Sequence, residues 1–135
     1  MVTYKKFYAE EINDIIEELG RLRIEIFREF PYLYDGNLDY EKEYLKTYSK
    51  ASSSMILVVF DQNQIIGASS CLKLIEETPE VILPFIKANF DLNSIVYFGE
   101  SLLKSSYRGQ GIGKVFFEER EKHALTFQEI TTACF

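Results

Sequence analysis

The chain has 135 residues, of which 47% are hydrophobic, with 15 basic and 21 acidic side chains and a formal net charge of -6. This length suits one domain with its own core, and the apolar content excludes intrinsic disorder. The acidic balance argues against general nucleic-acid binding, which needs a basic surface, and is compatible with attracting a cationic small molecule.

The first half of the chain predicts one strand, two helices and a second strand. Residues 2–8 alternate between apolar and polar and predict a strand. Apolar residues from Ile12 to Phe27 recur at helical spacing and predict an amphipathic helix of about 18 residues that ends near Pro31. A second helix is predicted over 38–49, and the apolar run 55–60 predicts a buried strand.

The second half predicts a sheet that helices cover on both faces. Its elements are a hairpin strand at 65–74 with Gly67 at a bulge, a helix at 79–90, a strand at 95–103, a helix at 111–125 and the start of a strand at 129–135. This order predicts an α/β fold with a mixed sheet, largely antiparallel at its start, in a single domain spanning 1–135.

The segment Arg108-Gly109-Gln110-Gly111-Ile112-Gly113-Lys114 carries the clearest chemical signal. It follows a predicted strand and opens a predicted helix, and three glycines in five positions leave its backbone bare. Bare amides at a helix N-terminus can approach an anion closely, and Arg108 and Lys114 add full positive charges. The segment therefore predicts a diphosphate site.

Two common phosphate-binding motifs do not match this glycine pattern. The Walker pattern needs a glycine at position 108 and a hydroxyl residue where Val115 stands. The dinucleotide fingerprint G-x-G-x-x-G does not match the observed spacing G-x-G-x-G. A glycine-rich helix entry that only packs tightly against the sheet is the remaining structural alternative.

The same segment resembles the acetyl-CoA signature Q/R-x-x-G-x-G/A of the GCN5-related N-acetyltransferase (GNAT) superfamily. Arg108, Gly111 and Gly113 match its three fixed positions, and the predicted order of elements is similar to that fold. The resemblance implies the acyl-CoA N-acyltransferase fold. It also implies an enzyme that uses acetyl-CoA as co-substrate and transfers the acetyl group to a primary amine by direct attack, without a metal.

The resemblance also implies roles for particular residues. Backbone amides would hold the CoA pyrophosphate at Arg108, Gly109, Gln110, Gly111, Ile112, Gly113 and Lys114. Backbone groups near Leu102, Leu103 and Lys104 would pair with the pantetheine arm, and an amide there would polarise the thioester carbonyl. Glu100 is the candidate base, directly or through water, because an apolar strand should raise its pKa. The candidate acceptor contacts are Tyr32, Tyr34 and Asp35.

The resemblance weakens at the C-terminus of the sequence. Residues 130–135 begin the fifth strand and the sequence stops there, so we expect a fold truncated after the start of that strand. In family members, the tyrosine that usually protonates the departing CoA thiolate lies in a helix after the fifth strand. No general acid can therefore be assigned in this sequence. An uncovered sheet edge predicts a homo-oligomer or a fragment of a longer protein.

Three functions remain open from the sequence. The first is the N-acetyltransferase, acting on a small-molecule amine or on a protein or peptide amine. The second is a non-catalytic CoA-binding or assembly module, and the third is a binder of a different phosphate ligand. The acetyltransferase is placed first because of the motif match, which is specific only over residues 98–120.

The cysteines and the N-terminus predict a cytoplasmic location. Cys71 and Cys134 form no C-x-x-C pair and there is a single histidine, so neither a zinc site nor a disulfide framework is expected. Free thiols are typical of a reducing compartment. No secretory signal and no uninterrupted apolar stretch of membrane-spanning length is present, so no membrane association is predicted.

Overall fold

The computed structural model describes residues 1–135 and contains one five-stranded sheet. The strands lie side by side in chain order: β1 Val2–Tyr8, β2 Met55–Asp61, β3 Gln64–Lys73, β4 Ile95–Leu103 and β5 Thr132–Cys134. Neighbours pair antiparallel, except that β5 runs parallel to β4. The mixed sheet that the sequence predicted is therefore confirmed.

Four helices surround the sheet. They are α1 Ile16–Phe27, α2 Leu38–Lys50, α3 Pro79–Lys87 and α4 Ile112–Ala124. Short 3-10 turns occupy Ala9–Ile15, Leu74–Glu76, Leu92–Ser94 and Ser105–Tyr107. None of the helices combines the length and the apolar character that crossing a membrane requires.

The core has two layers, one on each face of the sheet. Along β2, Ile56 and Val58 pack with α1 and α2, whereas Leu57 and Val59 pack in the second layer, with α4. A strand that is buried on both faces needs apolar side chains at every position, which explains the continuous run at 55–60. The predicted coverage of both faces is confirmed.

Three predicted boundaries differ from the structure. The first α-helix begins at Ile16 because residues 9–15 form a 3-10 helix that already buries Ile12 and Ile15. The third helix ends at Lys87 instead of 90, and Asn89, at φ 63°, has a left-handed conformation that a right-handed helix cannot continue. The last strand is only Thr132–Cys134.

A β-bulge in β4 decides where the side chains of that strand point. Ser101 lies opposite Ser69 and Phe98 opposite Cys71, so β4 spans three steps where β3 spans two. A bulge shifts the alternation of side chains by one residue. Phe98 consequently packs in the layer of α4, whereas Glu100 and Leu102 lie on the side of α1 and α2. The predicted bulge at Gly67 is confirmed as a register shift in the β2–β3 pairing beside it.

Candidate active site

The glycine segment forms an open loop that leads into α4. Gly109 and Gly111 have φ angles of 78° and 87°, a left-handed conformation that favours glycine, and Gly111 is the N-cap of α4. A Cβ atom added to Gly109, Gly111 or Gly113 would meet no other atom within 4 Å. The backbone of the loop therefore faces open space.

The amides of this loop have no partners within the chain. From Gly109 to Lys114, no backbone N–H donates a hydrogen bond, and Val115 is the first to do so, to the Gly111 carbonyl at 3.3 Å. The first turn of a helix always leaves such donors, and the helix dipole adds positive potential there. Together these amides form a site that can bind an anion.

Basic side chains around the loop pair with carboxylates on the surface. The Arg108 Nη2 atom lies 3.7 Å from Glu29, and Lys104 Nζ lies 3.4 Å from Glu25. Lys114 lies 3.7 Å from Glu118. Arg108 and Lys114 are exposed, and exposed ion pairs contribute little free energy, so these two cations can exchange a carboxylate for a phosphate group at small cost.

The outer edge of β4 beside the loop carries no strand. β5 pairs only with residues 95–97, so the edge from Phe98 to Leu103 is open. The Lys104 amide donates to the Ile66 carbonyl of β3 at 3.0 Å. Since the groups of successive residues in a strand alternate in direction, Ser101 and Leu103 turn their N–H and C=O groups to the open edge.

This alternation corrects part of the predicted pantetheine site. The amides of Leu102 and Lys104 face β3, so neither can pair with a ligand at the open edge, and the Lys104 carbonyl accepts a hydrogen bond from the Tyr107 amide at 3.0 Å. Leu103 remains, although its carbonyl accepts a hydrogen bond from Arg108 Nε at 3.2 Å. Ser101, which the sequence analysis did not select, joins it at that edge.

Glu100 lies in a buried group of charges on the other side of β4. One of its carboxylate oxygens accepts a hydrogen bond from Arg23, which also donates to Glu41. Burial raises the pKa of Glu100, and the neighbouring Arg23 partly offsets the effect. The second oxygen, Oε2, is buried and has no hydrogen-bond partner. A cavity of about 10 Å³ next to Glu100 has the room that one water molecule needs.

An aromatic pocket opens on the far side of Arg23. Its volume is about 360 Å³, and its lining comprises Arg23, Phe27, Tyr32, Tyr34, Tyr40 and Glu41. Tyr32 and Tyr34, two of the candidate acceptor contacts, both line this pocket. Asp35 does not line this pocket, and its backbone carbonyl accepts a hydrogen bond from Arg28 at 3.3 Å. Arg23 separates the pocket from Glu100.

Solved structures of other proteins share this architecture. No protein-family model and no curated protein sequence matches the chain. Solved structures do match, among them a GNAT family acetyltransferase from Staphylococcus aureus subsp. aureus USA300_TCH1516, with 17% identity and a TM-score of 0.60 over 98% of this chain and 83% of that one. The chain has the GNAT fold.

Two further structures support the same fold. A possible acetyltransferase from Clostridium difficile 630 gives a TM-score of 0.66 at 9% identity, over 98% of this chain and 77% of that one. AAC(6')-Iy, in complex with the bisubstrate analog CoA-S-monomethyl-acetylneamine, gives 0.61 at 12% identity, over 99% and 78%. The acyl-CoA N-acyltransferase fold that the sequence predicted is confirmed.

Within the GNAT fold, the predicted residues form two groups on opposite sides of β4. The loop Arg108–Lys114 and the open edge at Leu103 lie together, because β4 leads directly into the loop and α4. Glu100, Tyr32 and Tyr34 belong to the side of α1 and α2, and Arg23 connects them. No group of three or more His, Cys, Asp or Glu side chains is arranged to hold a metal ion.

Sequence reasoning missed two buried arginines of this GNAT fold. Arg23 is four residues after Leu19 and three before Ile26, so its spacing placed it on the buried face of α1. The charged run 118–122 has the composition of a solvated helix face, but Arg120 within it is buried. Arg120 continues the buried stripe of Ile112 and Phe116 at intervals of four residues, a spacing that contained the signal.

Proposed function

We propose that this chain is an acetyl-CoA-dependent N-acetyltransferase that transfers the acetyl group to a primary amine by direct attack. One observation carries the proposal: the unpaired amides from Gly109 to Lys114 adjoin the open edge of β4. That combination offers donors for a diphosphate next to donors and acceptors for an extended, amide-containing arm. The GNAT fold of the chain supports the assignment.

The residues of the chain have distinct tasks in this proposal. The loop amides bind the pyrophosphate of acetyl-CoA, and Arg108 and Lys114 exchange their carboxylate partners for phosphate. The outward groups of Ser101 and Leu103 pair with the pantetheine arm. An amide of this edge donates to the thioester oxygen, where negative charge develops as the amine attacks.

Glu100 accepts the proton that the attacking amine loses. Its raised pKa suits a general base, because a base works best when its pKa approaches the pH of the reaction. The unpartnered Oε2 and the water-sized cavity beside it support transfer through one water molecule. The new bond joins the amine nitrogen to the acyl carbon, the carbon–sulfur bond breaks, and the CoA thiolate leaves.

The acceptor in this proposal is a small molecule that carries an amine. The aromatic pocket next to Arg23 has room for a ring-sized group, and AAC(6')-Iy, which has the same fold, was solved with an analog that joins CoA to acetylneamine. A protein or peptide amine is the other acceptor class. Tyr32 and Tyr34 would contact the acceptor, and Asp35 lies outside the pocket.

Calorimetric titration with acetyl-CoA and CoA, with ATP and NAD as comparison ligands, tests the proposal. We expect saturable binding of the two CoA ligands only, and loss of binding in Gly111→Val. The control is Gly113→Ala, which adds a methyl group where no atom lies within 4 Å and where the resembled motif accepts alanine. Binding of ATP or NAD alone, or unchanged affinity in Gly111→Val, would contradict the proposal.

A non-catalytic CoA-binding module is the second candidate. The observation that favours it is the ion pair between Glu100 and Arg23, which occupies one oxygen of the proposed base. This candidate predicts that acetyl-CoA binds while no amine in an acceptor panel is acetylated. Mass spectrometry of the acceptors after incubation with the protein and acetyl-CoA separates the two functions.

Location and assembly complete the proposal. Both cysteines are free, and burial raises the pKa of Cys71 to about 12, so this thiol is unreactive. Free thiols support a cytoplasmic location. Exposed apolar side chains such as Leu83 and Ile86 on α3 support self-association, which light scattering would detect as a mass above that of one chain.

A further inference from the structure

Arg120 is a buried cation that lacks an acidic partner. The residue is only 2% exposed, and it forms no ion pair with any carboxylate of the chain. A guanidinium group remains charged in proteins, and burying a charge without an opposite charge is costly. Apolar residues fill the other buried positions of α4, so packing alone does not explain an arginine here.

The contacts of Arg120 converge on the bulge of β4. Its Nη1 atom donates to the carbonyl oxygens of Glu100 and Ser70, at 3.4 Å and 3.5 Å, and Nη2 donates to the Ser101 hydroxyl at 2.9 Å. The guanidinium carbon lies 4.7 Å from the centres of the Phe98 and Phe117 rings. These aromatic faces and neutral oxygens hold the charge against one side of β4.

The peptide group between Glu100 and Ser101 connects this charge to the open edge. A trans peptide points its C=O and N–H groups in opposite directions. The Glu100 carbonyl points to Arg120, and the Ser101 amide, by the alternation of β4, points to the edge that carries no strand. A cation that binds the carbonyl of a peptide polarises it and makes its N–H a stronger donor.

We infer that Arg120 is a positioning residue that strengthens the Ser101 amide as a hydrogen-bond donor to the acyl oxygen of a thioester bound along the open edge of β4. The inference rests on the proposed function, because the acyl oxygen belongs to acetyl-CoA. The inference identifies the Ser101 amide as the donor at that edge and Arg120 as the charge that strengthens it. Arg120 itself does not contact the ligand and takes part in no bond that forms or breaks.

A purely structural role makes different predictions. If Arg120 only stabilised the fold, then Arg120→Met would lower the melting temperature and affect catalysis no more than any other destabilising change in α4. The matched control is therefore Ala124→Gly. It weakens the same helix at its far end and leaves every charge in place.

The first test needs no ligand and follows the exchange of the Ser101 amide proton with water by NMR. A nearby cation stabilises the deprotonated amide, so base-catalysed exchange should be several-fold slower in Arg120→Met than in the wild type. Arg120→Lys should retain part of the effect, and Ala124→Gly should retain all of it. An equal Ser101 exchange rate in wild type and Arg120→Met overturns the inference.

The second test is the infrared band of the carbonyl of ¹³C-labelled acetyl-CoA. In the wild type, binding should shift the band to lower frequency, and Arg120→Met should reduce that shift and lower kcat about tenfold with little change in KM for acetyl-CoA. If Arg120→Met gives the same band shift and the same kcat as the wild type, the inference about Arg120 is overturned, whereas the proposed function is not affected. Absence of acetyl-CoA binding in the wild type contradicts the proposed function as well.

Discussion

At the scale of single residues, the buried charges next to β4 determine what the site can do. Glu41 is 1% exposed and Glu100 18% exposed by side chain, and Arg23 is the one cation that contacts both. With both carboxylates ionised, the group of two carboxylates and one guanidinium would carry a net negative charge in a region with little water. Such a group is held together by the cation that the two carboxylates share, and it is sensitive to the loss of that cation.

Glu100→Gln tests the role of the proposed base. We expect kcat to fall roughly 100-fold or more, the range that general bases contribute. The acid limb of kcat/KM in the wild type should have its midpoint above 4.5, the ordinary pKa of glutamate, since burial raises the pKa of Glu100. The pH profile of the variant should lack that limb, and a kcat within twofold of the wild type would contradict the role.

The same substitution has a consequence for stability. A carboxyl group whose pKa is raised by folding stabilises the protein below its unfolded pKa and loses that contribution as the pH rises through the folded pKa. Ionised Glu100 therefore weakens the fold at neutral pH. Melting curves at neutral pH should show Glu100→Gln to be at least as stable as the wild type, and a marked decrease would contradict this.

Arg23→Met tests the pairing of the buried charges. Removal of the cation leaves Glu41 and Glu100 without a counter-charge, so we expect the free energy of unfolding at neutral pH to fall by about 3–5 kcal/mol. The loss should shrink at acidic pH as Glu100 takes up a proton. Arg21→Met on the same helix removes only an exposed pair with Glu17 and should leave urea unfolding curves unchanged. Equal curves for the two variants would contradict the account.

Local and distant residues differed in how well the sequence predicted them. The glycine loop was predictable because its chemistry belongs to the backbone of consecutive residues. The contact of Arg23 with Glu100 joins positions 77 apart in the chain, and no local pattern encodes it. Asp35 was selected because it adjoins aromatic residues, but the loop turns its backbone to Arg28, and the structure leaves it outside the pocket.

At the scale of elements, the bulge of β4 determines which side of the sheet receives Glu100. Without the extra residue, the alternation from Phe98 would place Glu100 on the side of α4, away from Arg23. Gly99 makes the bulge possible at this position, because a Cβ there would overlap the Tyr48 hydroxyl and lie 2.7 Å from Ser70 Oγ. The glycine is required by close approach of side chains, since its φ is not in the left-handed region.

Gly99→Ala and Gly113→Ala form a matched pair of substitutions. Gly99→Ala should lower the free energy of unfolding by roughly 1–3 kcal/mol, because the added methyl group overpacks the core around Tyr48. Gly113→Ala should raise it by about 0.5–1 kcal/mol, because Gly113 lies in α4 with open space around it. Urea unfolding of both variants measures the difference, and an equal effect of the two would contradict this view of β4.

The elements were predicted best where one periodicity extends over many residues. Strands β2 and β4 and helices α2 and α4 begin and end within about two residues of the predicted positions. The ends of α3 and β5 were predicted less well. Apolar residues continue past Lys87 while the backbone turns at Asn89, and β5 pairs with only three residues of β4.

At the scale of the whole molecule, β4 separates two buried groups of charged side chains. One side carries the acidic group of Glu41 and Glu100 beneath an aromatic pocket, and the other carries Arg120. The open edge of β4 lies between them and leads into the unpaired amides of α4. In the proposed reaction, an amine approaching from the acidic side would meet a thioester bound along the edge at the bulge.

The most direct test of this account is NMR mapping of backbone amides during titration with CoA. We predict that the largest shifts occur at the amides from Gly109 to Lys114 and at Ser101 and Leu103, while the inward amide of Lys104 shifts less. Gly111→Val should abolish the changes. Saturable shifts confined to other parts of the chain, or no shifts in the loop at all, would contradict the central claim.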